Sequence, residues 1–76
     1  MKYDKKQIMT RAWEITVDGY TRTLNRWTKG SHDRVYINGG SHRGDGFVDL
    51  VHKTANLRGK YSYSAKMAEI ILAMEF

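Results

Sequence analysis

Ile15-Thr16-Val17-Asp18-Gly19-Tyr20-Thr21-Arg22 obeys two sets of local rules at once, and the two lead to different folds. A β-branched run, an Asp-Gly pair and a second alternating run make a tight hairpin with a type I′ turn. The residues before it favour a helix. Asp4 and Gln7 have capping-box spacing, Tyr3 and Ile8 are placed for the hydrophobic staple, and a helix would then begin at Lys5. Ile8, Ala12 and Ile15 recur at helical spacing, with Met9 and Trp13 widening the stripe, and Gly19 can serve as the C-terminal stop. Cap and stripe agree over a longer stretch than the alternation does, so the helix is the favoured reading.

Beyond this stretch, Tyr20 to Lys29 is rich in Thr and aromatic residues and reads as a strand, followed by turn composition from Lys29 to Asp33. Arg34 to Asn38 alternates, with Val35 and Ile37 toward a core and Arg34, Tyr36 and Asn38 away from it. Gly39 to Gly46 contains four glycines and reads as a loop before a third strand, Phe47 to His52, whose core residues are Val48 and Leu50. Lys53 to Lys60 connects. Met67, Ile70, Ile71 and Met74 then form a helical stripe within Ala65 to Phe76, with Ser62 or Ser64 as N-cap. The expected architecture is α+β: a small three-stranded antiparallel sheet with an N-terminal and a C-terminal helix on one face, the other face open, and one domain over residues 1–76.

A chain of 76 residues buries only roughly 60% of the surface its unfolded form exposes, too little interior for a deep catalytic pocket. Function is therefore expected on the surface, without catalysis or a cofactor. The absence of cysteine in so small a domain points to a reducing compartment. The charged start, Met1 to Lys6, is unlike a secretory signal, and the apolar run Ile70 to Met74 is far short of the roughly 20 residues of a membrane span, so a cytoplasmic location is expected.

The net charge of +5 is concentrated in the middle of the chain, where basic residues interleave with aromatics. Arg22, Arg26, Trp27, Lys29, Arg34, Tyr36, Arg43, Lys53, Arg58, Lys60 and Tyr61 are the candidate residues for contact with a partner or a nucleic acid. Cations neutralise phosphates and aromatic faces stack on unpaired bases, so a sheet face carrying both could follow a single strand. The bland alternative places the aromatics in the core and leaves the cations as a solvated surface. His32, His42 and His52 lack the convergence and the cysteine partners of a zinc site and read as exposed loop residues. A metal-independent ribonuclease built on a His pair is the third reading. Arg43-Gly44-Asp45 matches an integrin-binding tripeptide, but the rest of the chain has no extracellular character. The glycines around it lack P-loop spacing. The Met67 to Met74 stripe reads as core rather than as a partner-binding face.

Ile8-Met9-Thr10-Arg11-Ala12-Trp13-Glu14-Ile15 resembles an N-terminal helix of small phage and mobile-element proteins, some of them anti-CRISPR inhibitors. The resemblance implies a non-enzymatic inhibitor that binds a CRISPR effector or another immune nuclease in the cytoplasm of a bacterial host. It assigns a role to no individual residue. A small basic nucleic-acid-binding module is the alternative.

Overall fold

The computed structural model describes residues 8–39, 44–58 and 62–76. The hairpin rules prevail. Strands β1 (Ile8–Val17) and β2 (Tyr20–Lys29) run antiparallel from Val17 opposite Tyr20 to Ile8 opposite Thr28. Their turn has Asp18 at φ 55° and Gly19 at φ 84°, the double left-handed geometry of a type I′ turn. The expected N-terminal helix is thus replaced by a strand over the part of it that is described. The Asp4 cap lies outside the described residues.

The apolar spacing of residues 8–15 misleads because β1 contains a bulge. Met9 stands opposite Trp27 and Arg11 opposite Arg26, leaving Thr10 as the extra residue. A bulge shifts the phase of a period-two pattern by one. Past it, Trp13, Ile15 and Val17 are half-buried while Ala12, Glu14 and Thr16 are exposed, a clean strand alternation.

The chain continues as a meander. Gly30 at φ 60° opens a two-residue turn into β3 (His32–Ile37), and β4 (Gly46–Asp49) and β5 (Thr54–Leu57) follow, giving a five-stranded antiparallel sheet in the order β1-β2-β3-β4-β5. The expected sheet of three strands is therefore two strands short. β5 occupies a stretch read as a connection because Thr54, Ala55 and Asn56 are exposed and only Leu57 is half-buried. The expected strand Phe47 to His52 ends early. Asp49 Oδ1 accepts hydrogen bonds from the backbone N–H of Val51 (2.9 Å) and His52 (3.1 Å), which turns the chain.

Among the described residues one helix, α1 (Ser62–Ala73), covers one face of the sheet. Its buried residues Tyr63, Met67, Ala68 and Ile71 pack with Leu24, Val35, Ile37, Val48 and Leu50, in a core flanked by Trp13, Ile15, Val17, Leu57 and Leu72. Of the expected stripe, Met67 and Ile71 are core, Met74 is half-buried and Ile70 is exposed. Ser64, expected as a possible cap, is instead fully buried within the helix. Lys66 Nζ donates to both Asp18 carboxylate oxygens, at 2.9 and 3.2 Å, and so ties α1 to the β1–β2 turn.

The passage from β3 to β4 needs glycine. Gly46 has φ +111°, and an added Cβ would run into the Asn56 carbonyl oxygen and lie 2.6 Å from Leu57 Cα. Asp45 beside it is bound at both backbone groups, its N–H donating to Ile37 O (2.9 Å) and its carbonyl accepting from Arg58 N–H (3.0 Å).

Candidate partner-binding surface

Strand register divides the expected contact residues between the two faces of the sheet. Leu24 faces α1, so Arg22 and Arg26 share its side, while Trp27 and Lys29 lie on the opposite side. Val35 and Ile37 face α1, which places Arg34 and Tyr36 on the opposite side too. Lys53, at φ 58° in the β4–β5 turn, and Arg58, just beyond β5, are exposed at the sheet's edge. Arg43, Lys60 and Tyr61 lie outside the described residues. The expected patch is thus not one surface.

Arg22 and Arg26 are committed to the protein's own interior. Arg26 Nε and Nη2 donate to Asp33 Oδ1 (3.0 Å) and Oδ2 (2.7 Å) in a bidentate pair, and its guanidinium lies 4.7 Å from the Phe76 ring centre. An open pocket of about 340 Å³ adjoins this pair, lined also by Leu50, Lys53, Met74 and Glu75. Arg22 lies 5.4 Å from the Tyr20 ring centre and 5.0 Å from that of Tyr63, two rings stacked on each other at 4.6 Å, and its Nε is 3.6 Å from Asp45 Oδ2. The same Oδ2 accepts a 3.0 Å hydrogen bond from the Tyr63 hydroxyl. Burial, aided by Asp45, pushes the Tyr63 phenol above its ordinary pKa although Arg22 pulls the other way. Asp45 is buried, so the acid of the Arg43-Gly44-Asp45 tripeptide serves the fold.

The interleaving of arginine and aromatic residues therefore has an internal meaning. Arg11 lies over Trp13 at 4.3 Å, and Arg34 over Phe47 at 4.4 Å, in the same manner as Arg22 and Arg26. Each of these four arginines rests on a ring of its own chain.

The face away from α1 has no described element packed on it. Two rows of side chains cross it. In the first, Ala12, Asn25, Tyr36, Phe47 and Asn56 stand opposite one another from β1 to β5; in the second, Met9, Trp27, Arg34, Asp49 and Thr54 do. Tyr36 is only 7% exposed although it lies outside the core under α1, and its ring packs at 5.4 Å on Phe47. Phe47 and Asn25 are contributions that the sequence reading missed; once Tyr36 is placed on the outer face, their register partners follow. Asn25 Nδ2 donates to Gly39 O (3.1 Å) and anchors the start of the β3–β4 connection.

Two donors on this face lack acceptors. Trp27 Nε1 and Arg34 Nε are buried and make no hydrogen bond, and the two residues are direct cross-strand neighbours. A buried donor left unsatisfied costs about 1–3 kcal/mol. Arg34 Nη1 reaches only the Tyr36 hydroxyl, at 3.5 Å. Asp49 stands directly opposite Arg34 on β4, yet its carboxylate is taken by Val51 and His52, whose ring Nδ1 lies 2.9 Å from Oδ2. The His52 contact is also the main reason that the Asp49 carboxyl titrates below the ordinary carboxylate range. Among the described residues no carboxylate forms an ion pair with Arg34.

Among the described strand residues, Lys29 and Arg34 lie on this outer face with Glu14 and Asp49. Among the described residues no group of three or more His, Cys, Asp or Glu side chains converges as a metal site would require, and no helix is long and apolar enough to cross a membrane. His32 is exposed at the start of β3, His52 is bound to Asp49, and His42 lies outside the described residues. Comparison of the chain with models of protein families, with curated proteins and with solved structures finds no match.

Proposed function

We propose that this protein is a non-enzymatic binding module that presents the outer face of its sheet to another protein and acts by occupying that protein's surface. The observation that supports this most is the residue set gathered there: Trp27, Arg34 and Phe47, half-buried in two adjacent rows around the buried Tyr36 and uncovered by any described element. Trp, Tyr and Arg dominate the energetics of protein interfaces because each joins a large apolar body to a directional polar group. A rigid sheet holds them in place before binding, which reduces the ordering cost.

A protein partner is favoured over a nucleic acid by the same geometry. Binding to a phosphate chain requires a row of cations free to neutralise it, and here Arg22 and Arg26 are paired on the α1 side while Lys29 and Arg34 share their face with Glu14 and Asp49. The segment that resembles helices of anti-CRISPR proteins is the strand β1, so the likeness does not extend to its conformation. A bacterial immune effector in the cytoplasm remains the first partner class to try, on the strength of the residues alone.

Affinity capture from bacterial lysate, followed by inhibition assays on immune nucleases, tests this reading. A specific partner should be retained by the native chain and by Glu69→Gln, an exposed change on α1, and lost with Trp27→Ala. Equal retention by Trp27→Ala would remove the outer face from the account.

A further inference from the structure

We infer that the outer face recognises an acidic side chain of its protein partner, a carboxylate flanked by apolar residues, received by Arg34 beside Trp27. This rests on the proposed binding role of that face and specifies its chemistry. The guanidinium of Arg34 lies over Phe47, 4.4 Å from the ring centre, a contact that holds its position before any ligand arrives. Its nearest carboxylate by register, Asp49, is consumed by the β4–β5 turn and by His52. A fixed cation next to an occupied anion is left with its charge to offer.

Hydrogen-bonding capacity points the same way. Trp27 Nε1 and Arg34 Nε are neighbouring donors without acceptors but are buried, so the edge of Arg34 left to a ligand is its Nη pair, of which Nη1 has only the long contact to Tyr36. Donors call for an acceptor, and a carboxylate offers two oxygens in the plane that a guanidinium fork matches. The surroundings set the rest of the ligand. Phe47 and Met9 offer apolar area on either side, and Asn25 and Asn56 offer amides in the flanking row. A single acid among apolar neighbours fits this, whereas a phosphodiester chain, charged at every nucleotide, would meet Asp49 and Glu14 as well.

The test uses the full chain and three fluorescein-labelled probes in anisotropy titrations at constant ionic strength. They are acetyl-Leu-Glu-Tyr-Glu-Leu-amide, the same peptide with both Glu replaced by Gln, and an eight-residue oligothymidylate. The Glu peptide should bind at least tenfold more tightly than the Gln peptide. Arg34→Gln should abolish the difference, and Arg34→Lys, which keeps the charge but loses the fork, should leave part of it. An unchanged thermal midpoint certifies that each variant is folded. Equal binding of the two peptides, retention of the difference in a folded Arg34→Gln chain, absence of binding by every probe, or tighter binding of the oligothymidylate would each overturn the inference. Charge-independent binding combined with loss of the captured partner in Trp27→Ala would overturn the acidic ligand alone and leave the binding face standing.

Discussion

At the residue scale, charge in this chain is spent mainly on its own aromatic rings and carboxylates. Asp45 is the clearest case, buried between the hydroxyl of Tyr63 and the guanidinium of Arg22. Replacing Tyr63 with Phe removes the hydroxyl and leaves Asp45 short of a donor, so unfolding in urea should show a loss of about 2 kcal/mol. Because burial raises the Tyr63 pKa, the folded protein holds that proton more tightly than the unfolded chain does. This contribution is complete below about pH 10, the ordinary tyrosine value, and is lost as pH rises through the raised one. Absorbance titration of the five tyrosines should resolve one that ionises late, and Tyr63→Phe should delete that step. The sequence shows the alternation of arginine and aromatic residues, but not whether the rings stacked on these cations belong to this chain or to a ligand. Register alone decides that, since moving Arg22 and Arg26 to the α1 side separates them from Trp27, Arg34 and Tyr36.

At the scale of elements, the turns carry the most specific demands. Gly19 has a left-handed φ but open space where a Cβ would stand, so Gly19→Ala should cost only the backbone strain, about 1 kcal/mol. Gly46 combines positive φ with a collision against Asn56 and Leu57, and Gly46→Ala should cost about 3 kcal/mol or fail to fold. Comparable losses at the two positions would contradict the tight approach of β4 to β5. The β4–β5 turn has its own dependence on pH. His52 holds Asp49 ionised below the usual range, so the stabilisation from this carboxylate is present above about pH 3.9, the unfolded value, and is lost as pH falls through the lower folded one. Carbon-detected NMR titration should find Asp49 ionising below an ordinary aspartate, and His52→Ala should shift it upward. Three elements were largely legible in the sequence: β2, β3 and the C-terminal helix, each with a strong local period. β1 was not, because the bulge at Thr10 lets one set of apolar residues satisfy a helical and a strand pattern together. β5 was not, because an exposed strand at the sheet's edge has few apolar positions to announce it.

Across the whole molecule, the sheet divides labour between its faces. One side packs under α1 and consumes Arg22 and Arg26, while the other carries Trp27, Arg34 and Phe47 around the buried Tyr36, with no described element over them. The sequence points to one basic face, whereas the central cations divide between the two sides of the sheet. The two tryptophans report the two sides, since Trp13 packs toward the core and against Phe76 at 6.1 Å while Trp27 lies on the outer layer. The most direct test is a proton–nitrogen correlation spectrum of the labelled protein with and without its captured partner. The Trp27 indole and the Arg34 Nε resonances should shift on binding while the Trp13 indole and the α1 amides hold their positions. Shifts confined to Trp13 and α1, with Trp27 unmoved, would contradict this expectation and place the binding surface on the helix.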